Sequence, residues 1–94
     1  MTPVKVIGPD EPADPSWVEA RSPDEAVRHA GEGRTVLVVL DGDEATQLAT
    51  ASVYAWVGAR VFRTSRPAQV RTALDMVESL AGRRPPALTR RGLA

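Results

Sequence analysis

The chain has 94 residues, 43% of them hydrophobic, which is enough for one small domain with its own core and above the size that ordinarily needs a metal or disulfides to fold. It contains no cysteine, which excludes disulfides, thiol nucleophiles and thiolate metal sites and suits a reducing compartment. Twelve basic and twelve acidic residues cancel, and only 4% of the chain is aromatic, so the interleaved basic and aromatic residues of a nucleic-acid binder are missing and no nucleic-acid partner is expected.

Thr2 to Ile7 alternates and is β-branched, which predicts a short first strand. The segment 8–16 then carries three prolines and three acidic residues with nothing large and apolar to bury, and reads as an acidic, mobile loop. Trp17 to Arg21 is a second candidate strand. Ser22-Pro23-Asp24-Glu25 has the pattern of a capping box, with proline at the first helical position, and predicts a helix from Pro23 to about Ala30 that Gly31 and Gly33 end. Thr35 to Asp41 is apolar at successive positions, as expected of a strand buried on both faces in a parallel sheet. Asp41 or Asp43 can cap the next helix, on which Ala45, Leu48, Ala49, Ser52, Val53 and Trp56 recur at helical spacing and are expected to face the core. Gly58 stops that helix, Ala59 to Thr64 reads as a strand, and Pro67 to Ala81 places Val70, Ala73, Leu74, Val77 and Leu80 on one helical stripe that Gly82 and Pro85-Pro86 terminate.

The expected fold class is α/β: a small three-layer or half-barrel-like β/α domain with a mostly parallel sheet of three to four strands and three helices. It should occupy residues 1–82, followed by a basic, disordered tail over 83–94. Right-handed crossovers would set strands two, three and four side by side with every helix on one face. The opposite sheet face would then be bare and apolar, carrying either Leu37 and Val39 or Val36 and Val38. Such a face needs either a reversed strand order, as in a doubly wound sheet, or a second chain, and the expectation is a homodimer through the open sheet face.

Charge is unevenly distributed. Residues 1–47 hold ten acidic and four basic side chains, whereas residues 48–94 hold two acidic and eight basic ones, which suits either complementary surfaces or a basic patch for an anionic ligand. No apolar run approaches the roughly 20 residues that span a bilayer, and Met1 to Asp10 lacks a basic region followed by an apolar core, so the expectation is a cytoplasmic protein with no membrane partner.

The most distinctive segment is Val57-Gly58-Ala59-Arg60-Val61-Phe62-Arg63-Thr64-Ser65-Arg66-Pro67. It puts an arginine at the carboxyl end of a strand, just before a helix amino-terminus, where parallel β/α proteins gather ligand-binding groups. From about Val36 to Leu80 the chain resembles the last two β/α units of dihydropteroate synthase, the pterin-binding barrel family. The matching features are the alanine- and threonine-rich helix from Ala45-Thr46 to Trp56-Val57, Gly58-Ala59, the apolar pair Val61-Phe62, the turn Arg63-Thr64-Ser65-Arg66 and the helix carrying Ala73-Leu74-Asp75-Met76-Val77. The resemblance implies a stand-alone piece of a pterin-binding barrel in which Arg63 contributes to an anion pocket. Ser65 and Arg66 stand where that family has histidine and aspartate, and Asp41-Gly42-Asp43 replaces its Ser-Arg-Lys turn, so most of the synthase active site is missing.

The candidate anion site is therefore Arg63, Ser65 and Arg66, with the backbone donors of the following helix, and its ligand would be a pterin or a phosphate-bearing small molecule. The plainer reading of Arg63 is a salt bridge to Asp41. Asp41 and Asp43 are explained by capping, His29 by a surface position, and Ser22 and Ser65 have no base to activate them. Trp17 and Trp56 are expected to cover the sheet, with Trp17 a possible partner anchor. No catalytic residue, metal or cofactor is expected. These readings converge on a non-catalytic β/α module that homo-oligomerises or serves as an accessory subunit. The alternative is a binding subunit for a phosphorylated or pterin-like ligand near Arg63.

Overall fold

The computed structural model describes residues 3–83. Four strands, β1 (Lys5–Ile7), β2 (Val18–Glu19), β3 (Val36–Val39) and β4 (Val61–Arg63), form one parallel sheet in the order β1-β4-β3-β2. Three helices, α1 (Pro23–Gly31), α2 (Glu44–Trp56) and α3 (Pro67–Leu80), complete a small α/β fold. Strands β3 and β4 are shorter at both ends than the runs 35–41 and 59–64 that predict them, because pairing stops where a neighbour stops.

Local chemistry sets the helix boundaries. Ser22 caps α1 by accepting the Glu25 backbone N–H at 3.1 Å, while the Glu25 carboxylate reaches back to the Arg21 N–H at 2.9 Å, one residue beyond the reciprocal partner of a standard capping box. Asp43, not Asp41, caps α2 by accepting the Thr46 N–H at 2.8 Å, and this hydrogen bonding holds its carboxyl below the usual carboxylate range. Gly58 ends α2 at φ 115°. A Cβ there would lie 3.0 Å from the Ala30 Cβ, so both conformation and space require glycine.

All three helices pack on one sheet face. Val36, Val38 and Phe62 point to that side and join Ala26, Ala51, Tyr54, Ala55, Val70, Leu74 and Val77 in the main core. The next residues along each strand, Ile7, Leu37 and Val61, point to the other side and form a second small cluster with Trp17. This is the face expected to be bare, yet Ile7, Leu37 and Val61 are buried within the single chain. The strand order supplies the reason. Because β1 and β2 are opposite edges of the sheet, the segment 8–17 has to cross from one edge to the other, and it brings Trp17 onto the open face. The Lys5 ammonium lies 5.6 Å from the Trp17 ring centroid and completes this side. Among the described residues, the exposed large apolar side chain on this face is Val39, at 43%.

The inward side of α2 differs from the expected one. Gln47, Ala51, Tyr54 and Ala55 are buried, whereas Ala45, Ala49, Val53 and Trp56 are exposed. Trp56 is 58% exposed and does not cover the sheet, in contrast to Trp17. On α3, Val70, Leu74 and Val77 are buried as expected, Ala73 is half-buried and Leu80 is 73% exposed.

A buried charge cluster joins α3 to the end of α2. The Glu78 carboxylate accepts from Arg60 Nη1 at 2.6 Å and from Arg83 Nη2 at 2.8 Å, and Arg60 Nη2 and Arg83 Nη2 also donate to the Ala55 carbonyl at 3.1 and 2.8 Å. That carbonyl belongs to the last turn of α2, where the helix dipole favours cations. Burial pushes the Glu78 carboxyl upward, but the hydrogen bonds and charges of the two arginines outweigh it and hold the pKa at about 2. Arg83, expected to begin the tail, is thus anchored in the domain. The rest of the expected tail, 84–94, lies outside the described residues.

Candidate functional site

A parallel sheet concentrates functional groups at the carboxyl ends of its strands, because the loops and helix amino-termini that follow converge there. A shallow cavity of about 270 Å³ opens at that end between β3 and β4. Its polar lining comes from Asp41 and Gly42 after β3, Gln47 from α2, and Arg63, Thr64 and Ser65 from β4 and the turn that follows. Arg63 and Ser65, two of the three residues expected to bind an anion, meet here. Arg66 does not line this cavity; it sits at the start of α3, with Nη1 3.4 Å from Glu44 Oε1.

The hydrogen bonds show what these side chains already do. Arg63 forms no bridge to Asp41 among the described residues. Its Nη1 instead donates to the backbone carbonyls of Gly8, Pro9 and Glu11, at 3.1, 3.1 and 2.6 Å. The guanidinium therefore clamps the start of the loop that crosses the open sheet face. The Gly8 N–H donates to the Glu11 carboxylate at 2.8 Å and closes the same turn. Farther along, Asp14 accepts from the Ser16 N–H and hydroxyl at 2.8 and 2.7 Å, which lowers its pKa and shapes the approach to Trp17.

Ser65 is likewise engaged. Its Oγ accepts from Gln47 Nε2 at 3.2 Å, and the same amide nitrogen donates to the Gly42 carbonyl at 3.0 Å. The other end of the amide, Gln47 Oε1, accepts from Thr64 Oγ1 at 2.5 Å, and Thr64 Oγ1 accepts from the Arg66 N–H at 2.9 Å. Gln47 and Thr64 are almost completely buried. Together they form a polar latch that fixes the β3–α2 turn against the β4–α3 turn and shapes the floor of the cavity. Neither residue was anticipated from the sequence. The available signal was the spacing of Gln47, Ala51, Tyr54 and Ala55, which follows the helical period but begins on a polar residue.

The α3 amino-terminus points its first-turn donors toward this end of the sheet, and no side chain caps it by hydrogen bond. Arg66 Nε is buried without a hydrogen-bond partner. The cavity is electrostatically mixed, since the exposed Asp41 faces the same space as Arg63. His29 is remote, with Nδ1 3.4 Å from Glu32 Oε1 on α1. Among the described residues no group of three or more histidine, cysteine, aspartate or glutamate side chains could hold a metal ion. No described helix is long and apolar enough to cross a membrane.

Two other concave surfaces are larger. One, of about 360 Å³ near the amino ends of the strands, is lined by Arg34, Arg60 and Arg83, two of which already bind Glu78. The other is a groove of about 340 Å³ between α2 and α3, lined by Ser52, Val53, Trp56, Val57, Val77 and Leu80 and apolar almost throughout. No known protein-family model, curated protein or solved structure matches the chain.

Proposed function

We propose that the protein is an α/β interaction module that works by docking its helical face on a protein surface. The observation that carries this reading is the outer face of α2 and α3. From Ala45 to Ala59 the chain has no charged residue, although this stretch forms most of a helix whose outer side meets solvent. Val53, Trp56, Met76 and Leu80 are each more than half exposed on this surface. A helix with one core-facing side ordinarily carries charge on the other, and one that is apolar all round is ordinarily covered.

The strand-end cavity supports this reading less by what it lacks than by how it is used. Arg63 is spent on holding the loop, Ser65 and Thr64 on holding Gln47, and Arg66 faces Glu44, so the polar groups serve the architecture first. Site-specific photocrosslinking in cells tests the proposal. A crosslinking amino acid at Val53 or Met76 should give adducts of discrete mass, and one at Asp24 or Arg21, on the acidic side, should not. Absence of adducts from the helical face would defeat it.

A second reading keeps the ligand site that the resemblance to the pterin-binding barrels implies. It is favoured by the uncapped α3 amino-terminus beside a cavity lined by Arg63 and Ser65. Titration with inorganic pyrophosphate and with a pterin pyrophosphate decides it: saturable binding lost in Arg63→Ala with the helical circular dichroism unchanged would support it, and no binding would remove it.

A further inference from the structure

We infer that the helical face joins two copies of this chain about a twofold axis, with α2 packed antiparallel against α2 of the second copy; the inference rests on the interaction-module reading and names its partner. The grading of side-chain size along the face points to this occupant. On α2, Ala45, Ala49, Ser52, Val53 and Trp56 share the outward side, running from small residues at the amino end to large ones at the carboxyl end. On α3, Ala73, Met76 and Leu80 step from small to large toward the carboxyl end, behind the polar Gln69 that heads the stripe. Both helices follow parallel strands and so run in the same direction, which places their exposed bulky apolar side chains, Val53, Trp56, Met76 and Leu80, toward one end of the face.

A surface graded in this way is complementary to itself when turned by a twofold axis perpendicular to the helices. Trp56 of one copy then lies over Ala45 and Ala49 of the other, Val53 opposes Ala49, and the groove between Trp56 and Leu80 is filled from across the axis. Parallel stacking would set tryptophan on tryptophan and leave the small ends apart. Neither stripe carries a charge, so a copy meets no like-charge repulsion. The area is also of the required order: the exposed fractions of Val53, Trp56, Met76 and Leu80, 51 to 73%, amount to roughly 450 Å² of apolar surface per copy. With the flanking small residues this approaches the ~800 Å² per partner of a standard interface, with the apolar centre expected of a homodimer.

Sedimentation equilibrium of the full chain at micromolar concentrations is the test. A mass twice the 10.1 kDa of the chain is expected. Ala49→Glu and Val53→Lys alter exposed positions, so each should keep the wild-type circular dichroism while weakening the dimer about tenfold or more. Mixing the two should restore association, because the antiparallel register sets residue 49 of one copy against residue 53 of the other. A wild-type monomer overturns the inference, and so does a dimer indifferent to both substitutions or one that the mixture does not restore. A monomer in which Trp56 becomes accessible to an aqueous quencher only after residues 84–94 are removed would assign the face to the chain's own end and also overturn it. If the purified chain is monomeric while Val53 still crosslinks in cells to a protein of another mass, the self-pairing fails and the interaction-module reading stands.

Discussion

Replacing Glu78 by glutamine tests the most heavily buried charge in the domain. The carboxylate holds two guanidinium groups, Arg60 and Arg83, that are themselves largely shielded from water. Its pKa falls from an ordinary 4.5 to about 2 in the folded chain. At 1.36 kcal/mol per unit, that difference amounts to about 3 kcal/mol of folding stability linked to this one proton. Because the folded pKa is depressed, the contribution is fully present above the unfolded value. It decays as pH falls below about 4.5 and is gone near pH 2. Urea unfolding at a series of pH values should therefore show the wild type losing stability over this window, and Glu78→Gln lacking that part of the loss. Asp14 and Asp43 are also depressed and titrate nearby, but both remain in the variant, so the difference between the two curves isolates Glu78. At neutral pH the variant keeps the shape of the side chain and removes the carboxylate that both guanidinium groups share, which should cost about 3–5 kcal/mol, a large share of the stability of a small domain. A loss below 1 kcal/mol with an unchanged pH profile would mean that water solvates the cluster and that the reasoning from burial is wrong.

Gly58→Ala should destabilise the fold by about 1–3 kcal/mol in thermal unfolding, because the residue would hold a positive φ and press on Ala30. Gln47→Ala should cost about 1–3 kcal/mol by leaving the Thr64 hydroxyl buried without its acceptor, and Gln47→Glu should recover part of this loss only at low pH, where the added carboxyl is neutral. Arg63→Ala should release the loop rather than unfold the sheet: limited proteolysis between residues 9 and 16 should speed up, and Trp17 fluorescence should shift toward that of a solvated indole, with the helical circular dichroism unchanged.

Much of this fold is legible in the sequence because several elements are specified by local chemistry that tertiary packing does not override. The apolar run at 36–39, the Ser22 cap, an aspartate cap at 41 or 43, and the glycines at 33, 58 and 82 set element type and order. Arg63 and Ser65 do meet at the strand ends, as their place after β4 suggests. Their partners were not legible, since Gly8, Pro9 and Glu11 offer backbone carbonyls, which carry no side-chain signature, from more than 50 residues away. The cover of the open sheet face was hidden for a related reason. It depends on β1 and β2 lying at opposite edges, and no local pattern encodes strand order. The clamp and the cover are thus one device: an arginine at the end of β4 holds the turn from which the crossing segment sets out, and Trp17 seals the face where that segment arrives.

Helix α2 shows the limit of hydrophobic periodicity most clearly. Its sequence from Ala45 to Trp56 offers two stripes at helical spacing, and the one with more apolar bulk, containing Val53 and Trp56, is the one left in solvent. The buried stripe prevails because its residues suit the space available. Ala51 and Ala55 let the helix approach the sheet closely, Tyr54 fills the room beside them, and Gln47 meets polar groups at both ends of its amide. Trp56 in place of any of these would hold the helix off β3 and β4 and lose the packing around Phe62, which is completely buried. Core packing therefore accounts for the inner stripe and leaves the outer one without an architectural purpose. A charged outer face would make this helix more soluble at no cost to the core, so the bulk and neutrality of the outer stripe are the features on which the proposed docking face rests.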